Sequence, residues 1–130
     1  MSKIRVLLAD DNETILARVR TVLSGNFEIV GAVNNGRDAA AEVRRLDPDV
    51  LLIDISMPVL DGLQAVSRLG PNLRTKVVFL TVHEDQDFVC AAFAAGASGY
   101  VAKCDVTSDL LYAVFEVVQG RQFISRSIRA

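Results

Sequence analysis

Asp49 to Gly62, reading DVLLIDISMPVLDG, is the stretch that decides how this chain folds. Val50 to Ile53 is an apolar run of strand length, too short for an ordinary helix and without the alternation of a half-exposed strand, so it reads as a strand buried on both faces. Asp54 follows where that strand leaves the sheet. Met57-Pro58 with Asp61-Gly62 then breaks the pattern before a helix over Leu60 to Leu69, ended by Gly70-Pro71. A carboxylate at such a strand end is wet enough to stay ionised and is aimed by the strand that carries it. Taken alone, an Asp there also serves simply to end a strand and open a turn.

On the N-terminal side the same grammar appears twice. Ile4 to Ala9 is an apolar, branched strand followed at once by Asp10 and Asp11. Asn12 can cap a helix whose apolar positions are Ile15, Leu16, Val19, Val22 and Leu23, stopped by Ser24-Gly25. Phe27 to Val33 is a second strand closed by Asn34-Asn35-Gly36. Its helix has an apolar stripe at Ala39, Ala40, Val43 and Leu46, and Arg37, Asp38, Glu42, Arg44 and Arg45 form a solvated face of mixed sign.

On the C-terminal side, Val77 to Thr81 is a fourth strand finishing on a hydroxyl. Asp85 or Asp87 can cap a helix bearing Phe88, Val89, Ala92 and Phe93, which ends at Ala95-Gly96-Ala97. Ser98 to Ala102 is a fifth strand finishing at Lys103, and Thr107-Ser108-Asp109 starts a last helix with Leu110, Val114, Val117 and Val118 along one side.

Five strands alternating with five helices predict an α/β fold, a doubly wound five-stranded parallel sheet covered on both faces. Right-handed crossovers and the flavodoxin-like order 2-1-3-4-5 place the ends of the first and third strands side by side at a switch point. With 130 residues the chain makes one domain. Residues 1–120 form it, and Arg121 to Ala130, with three arginines, no acid and little periodicity, reads as a linker or a frayed tail.

A composition 51% hydrophobic and 23% charged, with a formal net charge of -2, gives no general attraction to nucleic acid. No apolar run approaches the roughly 18 residues of a membrane span, and no signal peptide is expected. Cys90 and Cys104 have neither metal-knuckle spacing nor the number of a disulfide framework, which fits a reduced, cytoplasmic compartment.

That strand order gathers Asp10, Asp11, Asp54, Thr81 and Lys103 at one rim. Three carboxylates together tolerate ionisation only when cations are supplied, and a divalent ion with Lys103 offsets their charge. Oxygen donors suit Mg2+, with Mn2+ a substitute, whereas a single His and no cysteine cluster do not suit Zn2+. A carboxylate, a hard metal, a hydroxyl and an ammonium together fit phosphoryl transfer, with Asp54 as the group that accepts the phosphoryl as an acyl phosphate.

Asp10-Asp11, Asp54, Met57-Pro58 with Asp61-Gly62, Thr81 and Tyr100-Val101-Ala102-Lys103 together resemble the receiver domain of two-component response regulators along nearly the whole chain. Ala94 to Tyr100 and Val118-Gln119-Gly120 are similar to receivers of the NarL/FixJ (LuxR-type) subfamily, whose members usually carry a C-terminal helix-turn-helix for transcription regulation, not present here. The resemblance implies that Asp54 is the phosphoacceptor and that Asp11, Asp54 and the backbone carbonyl of Ser56 bind Mg2+, with Asp10 acting largely through water. It implies that Lys103 pairs with the phosphoryl group, that Thr81 moves to bond it, and that Tyr100 turns inward, altering the face of the fourth helix, fifth strand and fifth helix. It also implies a sensor histidine kinase or phosphotransfer protein as donor, no enzyme activity beyond the domain's own phosphorylation and dephosphorylation, and DNA contact only through the missing module.

Three positions depart from the common pattern of that family. Val82 follows Thr81 where a smaller residue is frequent. It can overhang Asp54 as a gatekeeper or point into the core beneath the fourth helix. Cys104 follows Lys103 where Pro is frequent, so a cis peptide is not assumed, and Ser56 is short and neutral two residues past the acceptor. His83 is given no role. Phe88, Val89, Ala92 and Phe93 offer more apolar surface than one packed stripe uses, which suggests a homodimer on phosphorylation, or else simply core. An aspartyl phosphohydrolase is the competing class, but it wants a second acid where Ser56 stands. A flavin or nucleotide carrier wants a phosphate cradle where Asp10-Asp11-Asn12 would repel one.

Overall fold

A computed structural model describes residues 3–25, 27–70 and 72–129. Pro71, expected to help end a helix, and Ala130, the last residue of the expected tail, lie outside the described residues. The chain alternates strand and helix as β1 Ile4–Ala9, α1 Glu13–Val22, β2 Phe27–Val33, α2 Gly36–Leu46, β3 Val50–Ile53, α3 Gly62–Leu69, β4 Lys76–Thr81, α4 Gln86–Ala95 and β5 Gly99–Ala102. A 3-10 turn at Lys103–Asp105, α5 Val106–Val118, β6 Phe123–Ile124 and α6 Arg126–Arg129 complete it. All strand pairs are parallel and the order is β2-β1-β3-β4-β5-β6. The expected order holds for the first five strands, and β1 and β3 are neighbours at the switch point.

The strand residues are apolar on both faces because both faces are covered. Leu7, Leu51, Ile53, Val77 and Phe79 pack with Ala39, Val43, Ala65, Val66, Val89 and Ala92 of α2, α3 and α4. The alternate residues Val6, Leu8, Val50, Leu52, Val78 and Val101 pack with Leu16 and Val19 of α1 and with Leu110, Val114 and Val117 of α5. Period-two alternation therefore sends successive side chains into two separate apolar layers, which leaves no polar face to read along the strands.

One expectation needs correction, and two readings left open are narrowed. The sheet has six strands, because Phe123–Ile124 of the segment read as linker or tail pairs with Gly99 and Tyr100. Ser125 and Ile128 of that segment are buried. The reason is tertiary: a two-residue apolar pair among polar neighbours has no strand signal of its own and forms only because the edge of β5 offers it hydrogen bonds and an apolar floor. Val82 does not point into the core, since it is 66% exposed. Phe88 and Phe93 are half-buried and pack on the core, and α4 exposes no large apolar side chain among the described residues.

Candidate functional site

The C-terminal ends of β1 and β3 carry the two buried acids. The Asp10 N–H donates to the Val33 carbonyl at 3.0 Å and the Asp54 N–H to the Ala9 carbonyl at 2.9 Å, so the first residue past each strand is still held by the sheet and its carboxylate is aimed. One Asp10 oxygen accepts the Asn12 N–H at 2.9 Å, and Asn12 in turn caps α1 through the Ile15 N–H. Asp11 stands exposed beside them, and carboxylate oxygens of Asp10, Asp11 and Asp54 lie within 4.8 Å of one another.

Lys103, one residue beyond β5, reaches back over the rim. Its ammonium donates to Asp54 Oδ2 at 3.0 Å and lies 2.9 Å from Asp10 Oδ2. All three side chains are nearly out of water. Burial dominates the Asp10 carboxyl and raises its pKa, although Lys103 and the Asn12 N–H pull the other way. Burial alone would lower the Lys103 pKa, but the two carboxylates beside it outweigh that and leave it raised. Asp54 Oδ1 is buried with no hydrogen-bond partner, and Asp10 Oδ2 has only the unaligned ion pair.

Buried oxygens without donors cost free energy and call for an explanation. Three carboxylates and one ammonium leave this corner two negative charges in excess, all on hard oxygen donors, which is the complement of a small divalent cation. The residues present therefore fit Mg2+, as the acid triad typical of a receiver metal site does.

The loop after Asp54 is built to hold this corner. The Gly62 N–H donates to the Ile55 carbonyl at 2.7 Å, and a Cβ on Gly62 would stand 2.1 Å from the Asp54 carbonyl oxygen. The Gly36 N–H donates to the Leu60 carbonyl at 2.9 Å, where a Cβ would stand 2.0 Å from that oxygen. Only glycine fits at either place. Asp61 caps α3 with a full capping box through Gln64. Between these anchors Val59 takes φ of 70°, a left-handed conformation that a branched side chain strongly disfavours.

Thr81 and Tyr100 are both buried, and both are tied to His83. The His83 N–H donates to the Thr81 hydroxyl at 3.2 Å, and the Tyr100 hydroxyl donates to the His83 carbonyl at 2.7 Å. Burial, followed by the negative Asp54, Asp85 and Glu84, raises the Tyr100 pKa, so the phenol stays protonated and remains a donor. Ser56 and His83 share a hydrogen bond at 2.7 Å between Oγ and Nε2, and the imidazole stacks on Phe88 at 4.2 Å.

The expected residues thus divide into two groups. Asp10, Asp11, Asp54 and Lys103 meet directly, whereas Thr81, Tyr100 and Ser56 meet through His83. Sequence reasoning gave His83 no role, and nothing local signals its contacts, which come from residues up to 27 positions away.

A doubly wound sheet with an acid triad and a lysine at its switch point defines a receiver, a phosphoacceptor signalling module rather than a classical enzyme. Residues 6–115 match the family described as response regulator receiver domain, and the chain belongs to that family. It is 33% identical over 128 residues to the response regulator UvrY of Escherichia coli K12, covering 96% of this chain and 59% of that protein. It is likewise 33% identical over 126 residues to the transcriptional regulatory protein DegU of Brevibacillus brevis, covering 95% of this chain and 53% of that one. The chain spans little more than half the length of these relatives.

Among solved structures, the LuxR-family two-component response regulator of Aurantimonas sp. SI85-9A1 superimposes with a TM-score of 0.91 at 26% identity, covering 98% of this chain and 94% of that one. The receiver of the response regulator NarL from Mycobacterium tuberculosis gives 0.87 at 30% identity, with 93% and 100% covered. Among the described residues no helix is long and apolar enough to cross a membrane.

Proposed function

We propose that this domain accepts a phosphoryl group on Asp54 from a partner histidine kinase or phosphotransfer protein in the cytoplasm and passes the change to a transcription-regulating module beyond Ala130. The observation that carries the reading is the buried, unpartnered Asp54 Oδ1 at the end of β3, beside Lys103 and within an acid triad. In the transfer an Asp54 oxygen forms a bond to phosphorus while the bond from phosphorus to the donor breaks, and the leaving group departs with its electron pair. Asp11, Asp54 and the Ser56 backbone carbonyl would hold Mg2+ and Asp10 would act on it through water. When bound, the metal offsets the charge of the carboxylates and of the incoming group.

Lys103 neutralises an equatorial oxygen of the phosphoryl group in the reaction and in the product. The Thr81 hydroxyl, which accepts the His83 N–H and has its own proton free, moves to donate to a second oxygen. Tyr100, which is to fill the space that Thr81 vacates, already lies inward with its hydroxyl on the His83 carbonyl, and the move of Thr81 would hold it there. A local charge change is thereby passed to α4 and β5, and a homodimer formed on phosphorylation is one further output. DNA contact would fall to that further module, since a net charge of -2 gives this chain no general attraction to nucleic acid.

Acetyl phosphate with Mg2+ tests this by intact mass. The expected result is one phosphoryl adduct on the wild-type chain, none on Asp54→Asn, and none with a chelator. An adduct of equal extent on Asp54→Asn overturns the assignment.

A further inference from the structure

Lys103 is the cation that the two buried acids share, and it is carried on a flexible four-carbon stem, so where its ammonium lands depends on the backbone that bears it. Residues 125–127 hold that backbone on both sides. The Ala102 N–H, one residue before Lys103, donates to Ser125 Oγ at 3.0 Å in a fully buried contact. Two residues after Lys103, Asp105 Oδ2 accepts the Ser127 hydroxyl at 2.6 Å. The lysine therefore leaves the sheet between two points that one short segment fixes.

The β5–β6 ladder explains why the first of these points is a hydroxyl. The Phe123 N–H donates to the Ser98 carbonyl at 3.1 Å and the Ser125 N–H to the Tyr100 carbonyl at 2.9 Å. Bonds in a parallel pair are evenly spaced, so the next rung would carry the Ala102 N–H to the carbonyl of residue 125. That carbonyl is engaged elsewhere, accepting the Ile128 N–H at 3.0 Å as the chain turns into α6. The Ser125 hydroxyl stands in its place, and a side chain without an oxygen there leaves the Ala102 N–H buried and unpaired. The segment is itself pinned from the far side. Ile128 is buried in the same apolar cluster as Ala102, and its carbonyl accepts the amide of Gln86, the first residue of α4, at 3.0 Å.

We propose that Ser125 and Ser127 are positioning residues for the phosphoryl reaction: together they set the backbone over residues 102–105 so that the Lys103 ammonium meets the phosphoryl group on Asp54. The inference rests on the phosphoacceptor role of Asp54 and extends it to a segment outside the acid triad. An ammonium pairs with a phosphoryl oxygen over a short range, and a displacement of about 1 Å in such a group can cost on the order of a hundredfold.

This role separates from plain stabilisation because Lys103 and a metal ion act on the same carboxylates with opposite requirements. Mg2+ alone competes with the ammonium for those oxygens, so a misplaced Lys103 leaves Mg2+ affinity unchanged or tightened. Beryllofluoride, a phosphoryl analogue, needs the metal and the ammonium together, so the same misplacement weakens it. A general loss of structure at the rim weakens both.

The test uses the whole chain and two titrations: beryllofluoride in excess Mg2+, read by the fluorine resonance of the bound group, and Mg2+ alone, read by calorimetry. Ser125→Ala is expected to weaken beryllofluoride binding by about fivefold or more, the low end of ordinary coupling between sites, with no fall in Mg2+ affinity. Ser127→Ala breaks only an exposed bond, and it gives the same direction at smaller size should the buried serine prove necessary for folding. Wild-type beryllofluoride affinity in every variant that folds overturns the proposal, as does a parallel fall in Mg2+ affinity. Absence of any bound fluorine signal on the wild-type chain overturns the phosphoacceptor reading itself, and the positioning role falls with it.

Discussion

The inner strands have carboxylates at both of their ends, and the two ends are treated in opposite ways. At the N-terminal ends of the strands Asp49 accepts the Arg5 N–H at 2.8 Å on one oxygen and the Arg74 guanidinium at 3.2 Å on the other, while Arg74 also pairs with Asp47 at 3.1 Å. Both acids there have cationic partners, and the Arg5 N–H holds the Asp49 pKa down against its burial, with Arg74 assisting. At the C-terminal ends Asp10 and Asp54 share one ammonium, two buried oxygens lack hydrogen-bond donors, and the Asp10 pKa is raised. Identical chemistry stabilises in the first case and stores repulsion in the second. Such a corner is one that a bound divalent cation would relieve.

The sharpest way to break the comparison is to delete the cation at each end. Lys103→Met leaves two buried carboxylates facing each other and should cost about 3–5 kcal/mol of stability in the absence of a divalent ion. Mg2+ should restore part of it. Arg74→Met removes a half-exposed guanidinium and should cost no more than about 1 kcal/mol, with no response to Mg2+. Urea midpoints with and without the metal measure both. Equal losses would mean that the rim is an ordinary ion-pair cluster.

Neutralising one acid at each end should shift stability in opposite directions. Asp10 has a raised pKa, so its ionised form opposes folding at every pH above the unfolded value of about 3.9. Asp10→Asn keeps an oxygen for the Asn12 N–H and should raise stability at neutral pH, a gain that shrinks as falling pH protonates the wild-type carboxyl. Asp49 has a lowered pKa, so its contribution is present above about pH 3.9 and is lost as pH falls through the lower folded value. Asp49→Asn should therefore lose about 1 kcal/mol at neutral pH, discounted for partial exposure, and should converge with the wild type in acid. Unfolding titrations from neutral to acid pH read both signs.

The smallest effect is expected at Val82, which is largely exposed just past the end of β4. Val82→Ala should change stability by less than about 0.5 kcal/mol. If the branched side chain crowds the approach to Asp54, loading from acetyl phosphate and decay of the adduct should both quicken by less than about tenfold, which is under about 1.4 kcal/mol of barrier. Unchanged rates would remove Val82 as a gatekeeper.

The C-terminal rim was legible in the sequence because each of its residues ends an apolar run: Asp10 after Ala9, Asp54 after Ile53, Thr81 closing β4 and Lys103 after Ala102. Strand order then follows from crossover geometry, and the rim from strand order. What stayed hidden lacks local pattern. Phe123–Ile124 is strand only because β5 is there to receive it, and Ser125 becomes an acceptor for Ala102 only once that pairing exists. The Ser56 to His83 contact joins loops of two different strands. Val59 takes a conformation that its own side chain disfavours, imposed by the anchors on either side, and no propensity could have announced it.

The central claim is that the unsatisfied corner is a phosphoryl site centred on Asp54. Reductive trapping of the acyl phosphate formed from acetyl phosphate and Mg2+, with the modified residue located by peptide mass, measures this directly. The account predicts modification at Asp54 alone, abolished by chelation of the metal and unaffected by Asp49→Asn at the opposite end of the sheet. Modification at Asp10, Asp11 or any other acid, or at Asp54 to the same extent without metal, would contradict it.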